Sequence, residues 1–163
     1  TKELLKLHGF NIDLDDVTNV FQDFFFNLKD KKNKHLIDRE KLIIPKEVFE
    51  KLSKKYDMAV FSGRVKAEAR YSLEKFGIDK YFSYFITMDD LTKETLKPSP
   101  VGLFEILKNC PHNNVQYLGD SVDDVSAAVA ANVEIIGVAQ DDIHAQKLVK
   151  AGVKRVIRNI IEF

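Results

Sequence analysis

The sequence predicts an α/β fold in which helices cover both faces of a parallel sheet. From Ile43 onward, short apolar segments alternate with longer segments of helical period, a pattern typical of parallel sheets. The apolar segments, such as Met58-Ala59-Val60-Phe61, carry no polar face. Strands of this composition are expected where a sheet is buried on both sides.

Local signals define each element. Pro45 suits the first turn of a helix that runs to about Tyr56, and Gly77 would end a helix that begins at about Val65. Further helices are predicted from Ser99-Pro100 onward, over Val122–Ala131 with Asn132 as a left-handed cap, and over Ile143–Ala151. The predicted strands are Met58–Phe61, Tyr84–Ile86, Val115–Leu118, Glu134–Val138 and Arg155–Ile157.

The first part of the chain has a different pattern, because it is helical throughout. Apolar residues at helical spacing form a broad stripe that runs from Val17 to Leu28, and the polar segment 29–34 after it is predicted to be a solvated loop. The sequence opens at Thr1 without a lead-in, which we interpret as a start inside a helix. We therefore expect a helical region over residues 1–42 and an α/β region over 43–163.

Composition restricts the functional classes. The 25 Lys and Arg residues balance 25 Asp and Glu residues, so no overall field favours nucleic acid or an acidic membrane surface. No apolar segment approaches the ~20 residues that a membrane span needs, and no signal-peptide pattern is present. The single cysteine, Cys110, is predicted to be a half-buried thiol. We expect a cytoplasmic protein with no nucleic-acid or membrane partner; the sequence does not specify an oligomeric state.

Three polar motifs follow predicted strands or precede helices, at the end of the sheet where parallel sheets bind ligands. They are Ser62-Gly63-Arg64, Lys97-Pro98 and the acidic segment Gly119–Asp124. Ser62 and Gly63 offer a hydroxyl and an open backbone for a phosphate, or Ser62 simply caps the next helix. Lys97 would bring a positive charge to a phosphate, or it is an ordinary solvated lysine.

The acidic motif fits a magnesium site. Asp120 directly follows a strand, and Asp124 lies one helical turn further on the same face. Mg²⁺ is commonly held by one or two carboxylates together with water and phosphate oxygens. Asp123 is expected to point elsewhere and to interact with the helix dipole. The alternative is that all three acids only stabilise the start of the helix.

Taken together, the order and placement of these motifs resemble the haloacid dehalogenase (HAD) superfamily. Phe61-Ser62-Gly63-Arg64 is similar to its second motif, Lys97-Pro98 to its third, and Gly119-Asp120-Ser121-Val122-Asp123-Asp124 to its fourth. The resemblance implies a Rossmann-like core over residues 43–163. It also implies that residues 1–42 are part of the helical cap found in one subgroup of the superfamily, with phosphatase-like members.

The same resemblance implies a role for each motif. Ser62 and the Gly63 amide would bind the transferring phosphoryl group, and Lys97 would neutralise charge between it and the nucleophile. Asp120 would bind Mg²⁺ directly. Asp124 would bind the ion through water or orient the ligands around it, and Arg64 would contact the substrate or the cap. The implied activity is Mg²⁺-dependent hydrolysis of a small phosphorylated metabolite through an aspartyl-phosphate.

The first motif of the superfamily, an apolar strand followed by Asp-x-Asp-Gly, is not found in the sequence. Asp13-Leu14-Asp15-Asp16 lacks the glycine and is predicted to start a helix. In this fold the first strand lies between the strands near 57–61 and 115–118, and its loss would expose two rows of backbone hydrogen-bonding groups. We therefore expect either a longer polypeptide that supplies the nucleophile or another segment in that position.

Two alternatives come from other classes. A phosphate-binding or regulatory module of the same fold would bind phosphate and metal without turnover, since no nucleophile is present. A signalling receiver domain also places carboxylates, a hydroxyl and a lysine around a parallel sheet. In receivers the acidic residues come first along the chain, whereas here they come last, so the order of the motifs argues against that class.

Overall fold

A computed structural model describes residues 36–112 and 114–162, together with the isolated residues Gly9, Asp16, Asn19, Val20 and Phe25. The chain divides into two compact units, Thr1–Lys41 and Leu42–Phe163. The interpretation of the first unit as part of a cap stays a prediction.

In the first unit, a short 3-10 helix spans Leu36–Arg39. Asp16, Asn19, Val20 and Phe25 are helical, in agreement with the helical pattern of this segment. The predicted loop at 29–34 and the first three residues of the Asp13–Asp16 segment lie outside the described residues.

The second unit alternates helices and strands. Its helices are α1 (Lys46–Ser53), α2 (Lys66–Phe76), α3 (Val101–Asn109), α4 (Val122–Ala130) and α5 (Asp142–Lys150). Its strands are β1 (Met58–Phe61), β2 (Phe82–Ile86), β3 (Gln116–Gly119), β4 (Glu134–Val138) and β5 (Arg155–Ile157). Short 3-10 helices lie at Asp79–Tyr81, Met88–Asp90 and Ile160–Glu162.

The strands form two parallel sheets. β1 pairs with β2, and β4 lies between β3 and β5. Within the described part of the chain, β1 and β3 are paired on one edge each and share no ladder with one another. β1 and β3 therefore each have one row of backbone hydrogen-bonding groups without a strand partner among the described residues.

One hydrophobic core nevertheless joins both sheets. It contains residues of β1, β2, β4, α3, α4 and α5 and of the segments that follow β4 and α5: Phe61, Ile86, Leu103, Val125, Ala127, Ala128, Ile135, Ala139, Leu148 and Val153. Gly102 on α3 allows close packing on β1, because a Cβ there would lie 2.3 Å from the Phe61 ring. The Rossmann-like α/β fold predicted from the sequence is therefore confirmed.

The predicted boundaries differ from the structure by a few residues. α1 ends at Ser53 rather than at about Tyr56, because the amides of Lys55 and Tyr56 both donate to the Leu52 carbonyl and close the helix. Asn132, predicted as a left-handed cap, has a φ of 55°, and Gly77, predicted to end a helix, is also left-handed with a φ of 62°. Within the described residues, every helix is too short or too polar to cross a membrane.

Candidate active site

A cavity of about 640 Å³ lies at the carboxyl ends of β1, β3 and β4. The sequence-predicted residues that line it are Ser62, Gly63, Lys97, Asp120 and Asp124. Arg64 is not among the lining residues, and its Nη1 donates to Ser72 Oγ at 3.2 Å. The structure thus brings five predicted site residues to one cavity, although they lie up to 62 positions apart in the chain. Arg64 points along α2 and not into this cavity.

Hydrogen bonds to the last residue of β2 and to the segment after it fix the loop that follows β1. The loop ends directly at α2, whose N-cap is Val65. Its bonds are those of Ser62 N to Ile86 O (2.9 Å), Met88 N to Arg64 O (3.1 Å) and Lys66 N to Asp89 Oδ2. These three bonds use main-chain groups of residues 62–66, so they do not involve the side chains that face the cavity.

Ser62 and Gly63 present donors to the cavity. Ser62 Oγ accepts a hydrogen bond from Arg64 N at 3.1 Å, which leaves its own hydroxyl hydrogen without an acceptor in the described ranges. The Gly63 amide also donates to none of the described residues, and a Cβ added at Gly63 would meet no atom within 4 Å. A hydroxyl and a free amide beside open space suit an anionic oxygen.

Lys97 is held by three acceptors at once. Its Nζ donates to Phe61 O at 2.8 Å, to Tyr117 Oη at 2.8 Å and to Asp124 Oδ1 at 2.7 Å. The same ammonium lies 4.2 Å from the centroid of the Phe61 ring, within the range of a cation–π contact. Only 16% of the side chain is exposed, so Lys97 is a fixed charge and not a solvated surface lysine.

Asp124 is the centre of a hydrogen-bond network. Its Oδ1 accepts from Lys97 Nζ and from Tyr117 Oη (2.6 Å), while its Oδ2 accepts from Ser121 Oγ (2.7 Å), Ser121 N (3.1 Å) and Asp120 N (3.3 Å). Five donors occupy the lone-pair positions that a carboxylate offers. The carboxylate therefore orients its neighbours, and its predicted role toward Mg²⁺, through water or by orienting the ligands around the ion, stays a prediction.

The network keeps Asp124 ionised. Burial by itself would raise the pKa of this carboxyl, but the hydrogen bonds from Lys97 and Tyr117 and the lysine charge lower the pKa below its usual value. Burial and the neighbouring Asp124 charge raise the pKa of the Tyr117 phenol, so it remains a neutral donor. Lys97 and Asp124 thus form a charged pair that is shielded from water.

Asp120 and Asp123 carry the open carboxylates of the site. Both side chains are exposed and line the cavity, and neither carboxylate accepts a hydrogen bond from a described residue. The prediction that Asp123 points elsewhere is wrong. The reason is that α4 begins at the strand end, so its first turn faces the cavity. No group of three or more His, Cys, Asp or Glu residues suited to a metal occurs in the described part of the chain.

Sequence reasoning missed three residues that build this site. Tyr117 lies inside β3 and looked like an ordinary strand residue. Ser121 forms a capping box with Asp124, which the Ser-x-x-Asp spacing could have indicated. His144, to which no function was assigned, contacts Asp120 across two loops, with Nε2 2.6 Å from the Asp120 carbonyl oxygen; no sequence signal connects these two positions.

The fold and the site together define an α/β protein with unoccupied hydrogen-bond donors and open carboxylates in one cavity. This chain belongs to the haloacid dehalogenase-like hydrolase family, whose model matches residues 7–138. It is 28% identical over 106 residues to a phosphoglycolate phosphatase of Pseudomonas fluorescens, covering 64% of this chain. The family predicted from the three motifs is therefore confirmed.

Solved structures show the same fold. A HAD-superfamily hydrolase of subfamily IA from Geobacter sulfurreducens aligns over 71% of this chain and 56% of its own, with 24% identity and a TM-score of 0.56. A phosphonoacetaldehyde hydrolase-like protein from Oleispira antarctica aligns over 96% of this chain and 65% of its own, with 17% identity and a TM-score of 0.70. The chain spans only 38% of the length of the Pseudomonas phosphatase.

Proposed function

We propose that the protein is a Mg²⁺-dependent phosphatase that hydrolyses a small phosphorylated substrate through an aspartyl-phosphate, with the nucleophile supplied from outside the described residues. One observation carries the proposal. Two unoccupied donors, a fixed ammonium and two open carboxylates line a single cavity at the strand ends. The name of the Pseudomonas relative, phosphoglycolate phosphatase, supports phosphate hydrolysis on a small substrate.

The donors after β1 would hold the phosphoryl group. The Ser62 hydroxyl and the Gly63 amide would donate to its oxygens, and Lys97 would add positive charge. All three hydrogens of the Lys97 ammonium are in use, so contact with a phosphate requires that one of these bonds be exchanged. Arg64 would have to leave Ser72 to reach the substrate, or it serves the cap.

The carboxylates after β3 fit a magnesium ion, which prefers oxygen ligands and retains several waters. Asp120 would bind the ion directly. Asp124 would orient the ligands around the ion, either through the hydrogen bond that it accepts from the Asp120 amide or through water. A bound Mg²⁺ neutralises charge on phosphoryl oxygens. The open carboxylate of Asp123 adds a second negative group on the same side of the cavity.

The nucleophile would lie between the two sheets. β1 and β3 each have one edge without a strand partner among the described residues, and the Lys97 side chain bridges them by donating to Phe61 O and to Tyr117 Oη. A strand placed between these edges would end beside Ser62, Lys97 and Asp120. A carboxylate at the end of that strand would be the attacking group.

Assays of the complete gene product with an aryl phosphate test the proposal. We expect hydrolysis only in the presence of Mg²⁺, and we expect Asp120→Ala to abolish it. Asp57→Ala, which removes an exposed carboxylate paired with His112, is the matched control and should retain full activity. Unchanged turnover in Asp120→Ala would contradict the metal assignment.

A phosphate-binding module without turnover is the second candidate, because the carboxylates that line the cavity within the described ranges all lie on the loop and helix after β3. The 163-residue chain and the complete gene product should be compared in parallel. Phosphate binding without hydrolysis in both would favour the module. Hydrolysis by the complete product alone would support the phosphatase with an external nucleophile.

A further inference from the structure

His144 connects the loop after β3 to the loop after β4. Its Nε2 lies 2.6 Å from the backbone oxygen of Asp120, and Gln140 N donates to its Nδ1 at 3.3 Å. The backbone amide of His144 in turn donates to Asp141 Oδ1 at 2.7 Å, which caps α5. The imidazole is therefore fixed to its own helix start and reaches across to the candidate metal loop.

These contacts define the tautomer of the ring. A backbone carbonyl oxygen can only accept, so the Nε2 of His144 must carry the proton and donate to Asp120. The Gln140 amide can only donate, so Nδ1 must present its lone pair. Both contacts are satisfied together only by the Nε2–H tautomer.

The backbone of Asp120 is consequently fixed on both sides. Its amide donates to Asp124 Oδ2 at 3.3 Å, and its carbonyl accepts from His144 Nε2. The Asp120 carboxylate, in contrast, is exposed in the cavity and bonded to none of the described residues. Two side chains thus hold the peptide units that orient one open carboxylate.

We propose that His144 is a positioning residue, whose Nε2–H bond to the Asp120 carbonyl aims the Asp120 carboxylate at a divalent cation. The inference rests on the proposed function, since it concerns the same cation. Groups that orient a metal ligand through hydrogen bonds typically change metal affinity by roughly 10- to 100-fold when they are removed. His144 is a non-ligand residue of this kind.

Three substitutions of His144 distinguish the effects of its two ring hydrogen bonds, the one to Asp120 O and the one from Gln140 N. Glutamine places its amide nitrogen near the position of Nε2, so His144→Gln retains a donor for Asp120. Asparagine reaches only the position of Nδ1, so His144→Asn retains a partner for Gln140 and loses Asp120. His144→Ala removes both, and His112→Ala, which removes a half-exposed histidine paired with Asp57, is the matched control.

The complete gene product should be titrated with Mg²⁺ while the amide NMR signals of Gly119–Asp123 are followed, and the ring ¹⁵N shifts of His144 should be recorded without metal. We expect a protonated Nε2, a Mg²⁺ dissociation constant raised about tenfold in His144→Ala and His144→Asn, and values within about twofold of wild type in His144→Gln and His112→Ala.

Several outcomes would overturn the inference. A proton on Nδ1 would contradict the assigned bonds, and wild-type Mg²⁺ affinity in His144→Ala and His144→Asn would show that His144 does not position Asp120. Equal losses in His144→Gln and His144→Ala would indicate a packing role. A wild-type protein that binds no Mg²⁺ would defeat the proposed function as well, whereas the preceding results would leave that function intact.

Discussion

The loop after β1 and the loop after β3 line one cavity but are stabilised differently. Main-chain groups of the first loop bond to β2 and to the segment after it, while Ser62 Oγ–H and the Gly63 amide donate to none of the described residues and line the cavity. Side chains hold the second loop, with Asp124 accepting from five donors and His144 bonding to the Asp120 carbonyl. Substitutions of the side chains that hold the second loop should therefore affect folding, whereas substitutions in the first loop should mainly affect ligand binding.

The largest effect on stability is expected for Asp124→Asn. The neutral asparagine amide cannot replace the negative charge that pairs with Lys97. Because both carboxylate oxygens of Asp124 accept hydrogen bonds, the NH₂ group of asparagine would meet a donor at either oxygen position. Removal of one partner of a buried ion pair costs about 3 kcal/mol or more. Urea unfolding at neutral pH should measure the loss, and Asp123→Asn, which removes an open carboxylate on the same turn, should change the free energy of unfolding by less than about 0.5 kcal/mol.

The same substitution should alter the pH dependence of stability. The pKa of Asp124 is lowered in the folded state, so its contribution is present above the unfolded value of about 4 and is lost as the pH falls through the lowered folded pKa. Asp124→Asn should therefore lose less stability than wild type on acidification. Parallel curves for the two proteins between neutral pH and about pH 2 would contradict the lowered pKa.

Substitutions at Gly119 and Gly63 test how tightly the two loops are packed. A Cβ at Gly119 would lie 2.6 Å from Asp124 Cβ, whereas a Cβ at Gly63 would meet nothing within 4 Å. Gly119→Ala should lower the free energy of unfolding by about 2 kcal/mol, and Gly63→Ala should leave it within about 0.5 kcal/mol. Similar thermal unfolding of the two variants would remove the proposed difference between the loops.

A smaller loss is expected for Tyr117→Phe, which keeps the ring against Phe61 but removes a bond to Lys97 and a bond to Asp124. The free energy of unfolding should fall by about 1 kcal/mol. Tyr84→Phe, at a partly buried position that packs against the same core, is the control. An equal loss in both variants would mean that the Tyr117 hydroxyl has no special role.

The smallest effect on stability is expected for Ser62→Ala, because it removes one hydrogen bond, from Arg64 N to Ser62 Oγ, while the backbone bonds of the loop remain. The free energy of unfolding should fall by about 0.5 kcal/mol, the lower end for one hydrogen bond. Inhibition by inorganic phosphate should nevertheless weaken about tenfold, the loss expected for one hydrogen bond to a charged group. Unchanged inhibition would show that the Ser62 hydroxyl does not contact the phosphate.

Much of the fold could be predicted from the sequence because its signals are local. The apolar segments gave the strands Met58–Phe61, Glu134–Val138 and Arg155–Ile157 with their correct bounds. Gly77 correctly indicated the end of a helix. Helix ends such as that of α1 were less accurate, because the carbonyl of Leu52 accepts from two amides that no periodicity reveals.

The sequence by itself determined the alternation of elements and the chemical groups at the strand ends, because both follow from the residues next to each strand. Only the tertiary structure decided that Asp124 is enclosed by donors while Asp120 and Asp123 remain open. The tertiary structure also decided that Tyr117 and His144 take part in the site. Their partners are 7 to 24 positions away in the chain, and contacts of that kind depend on how helices and strands pack, which no local pattern specifies.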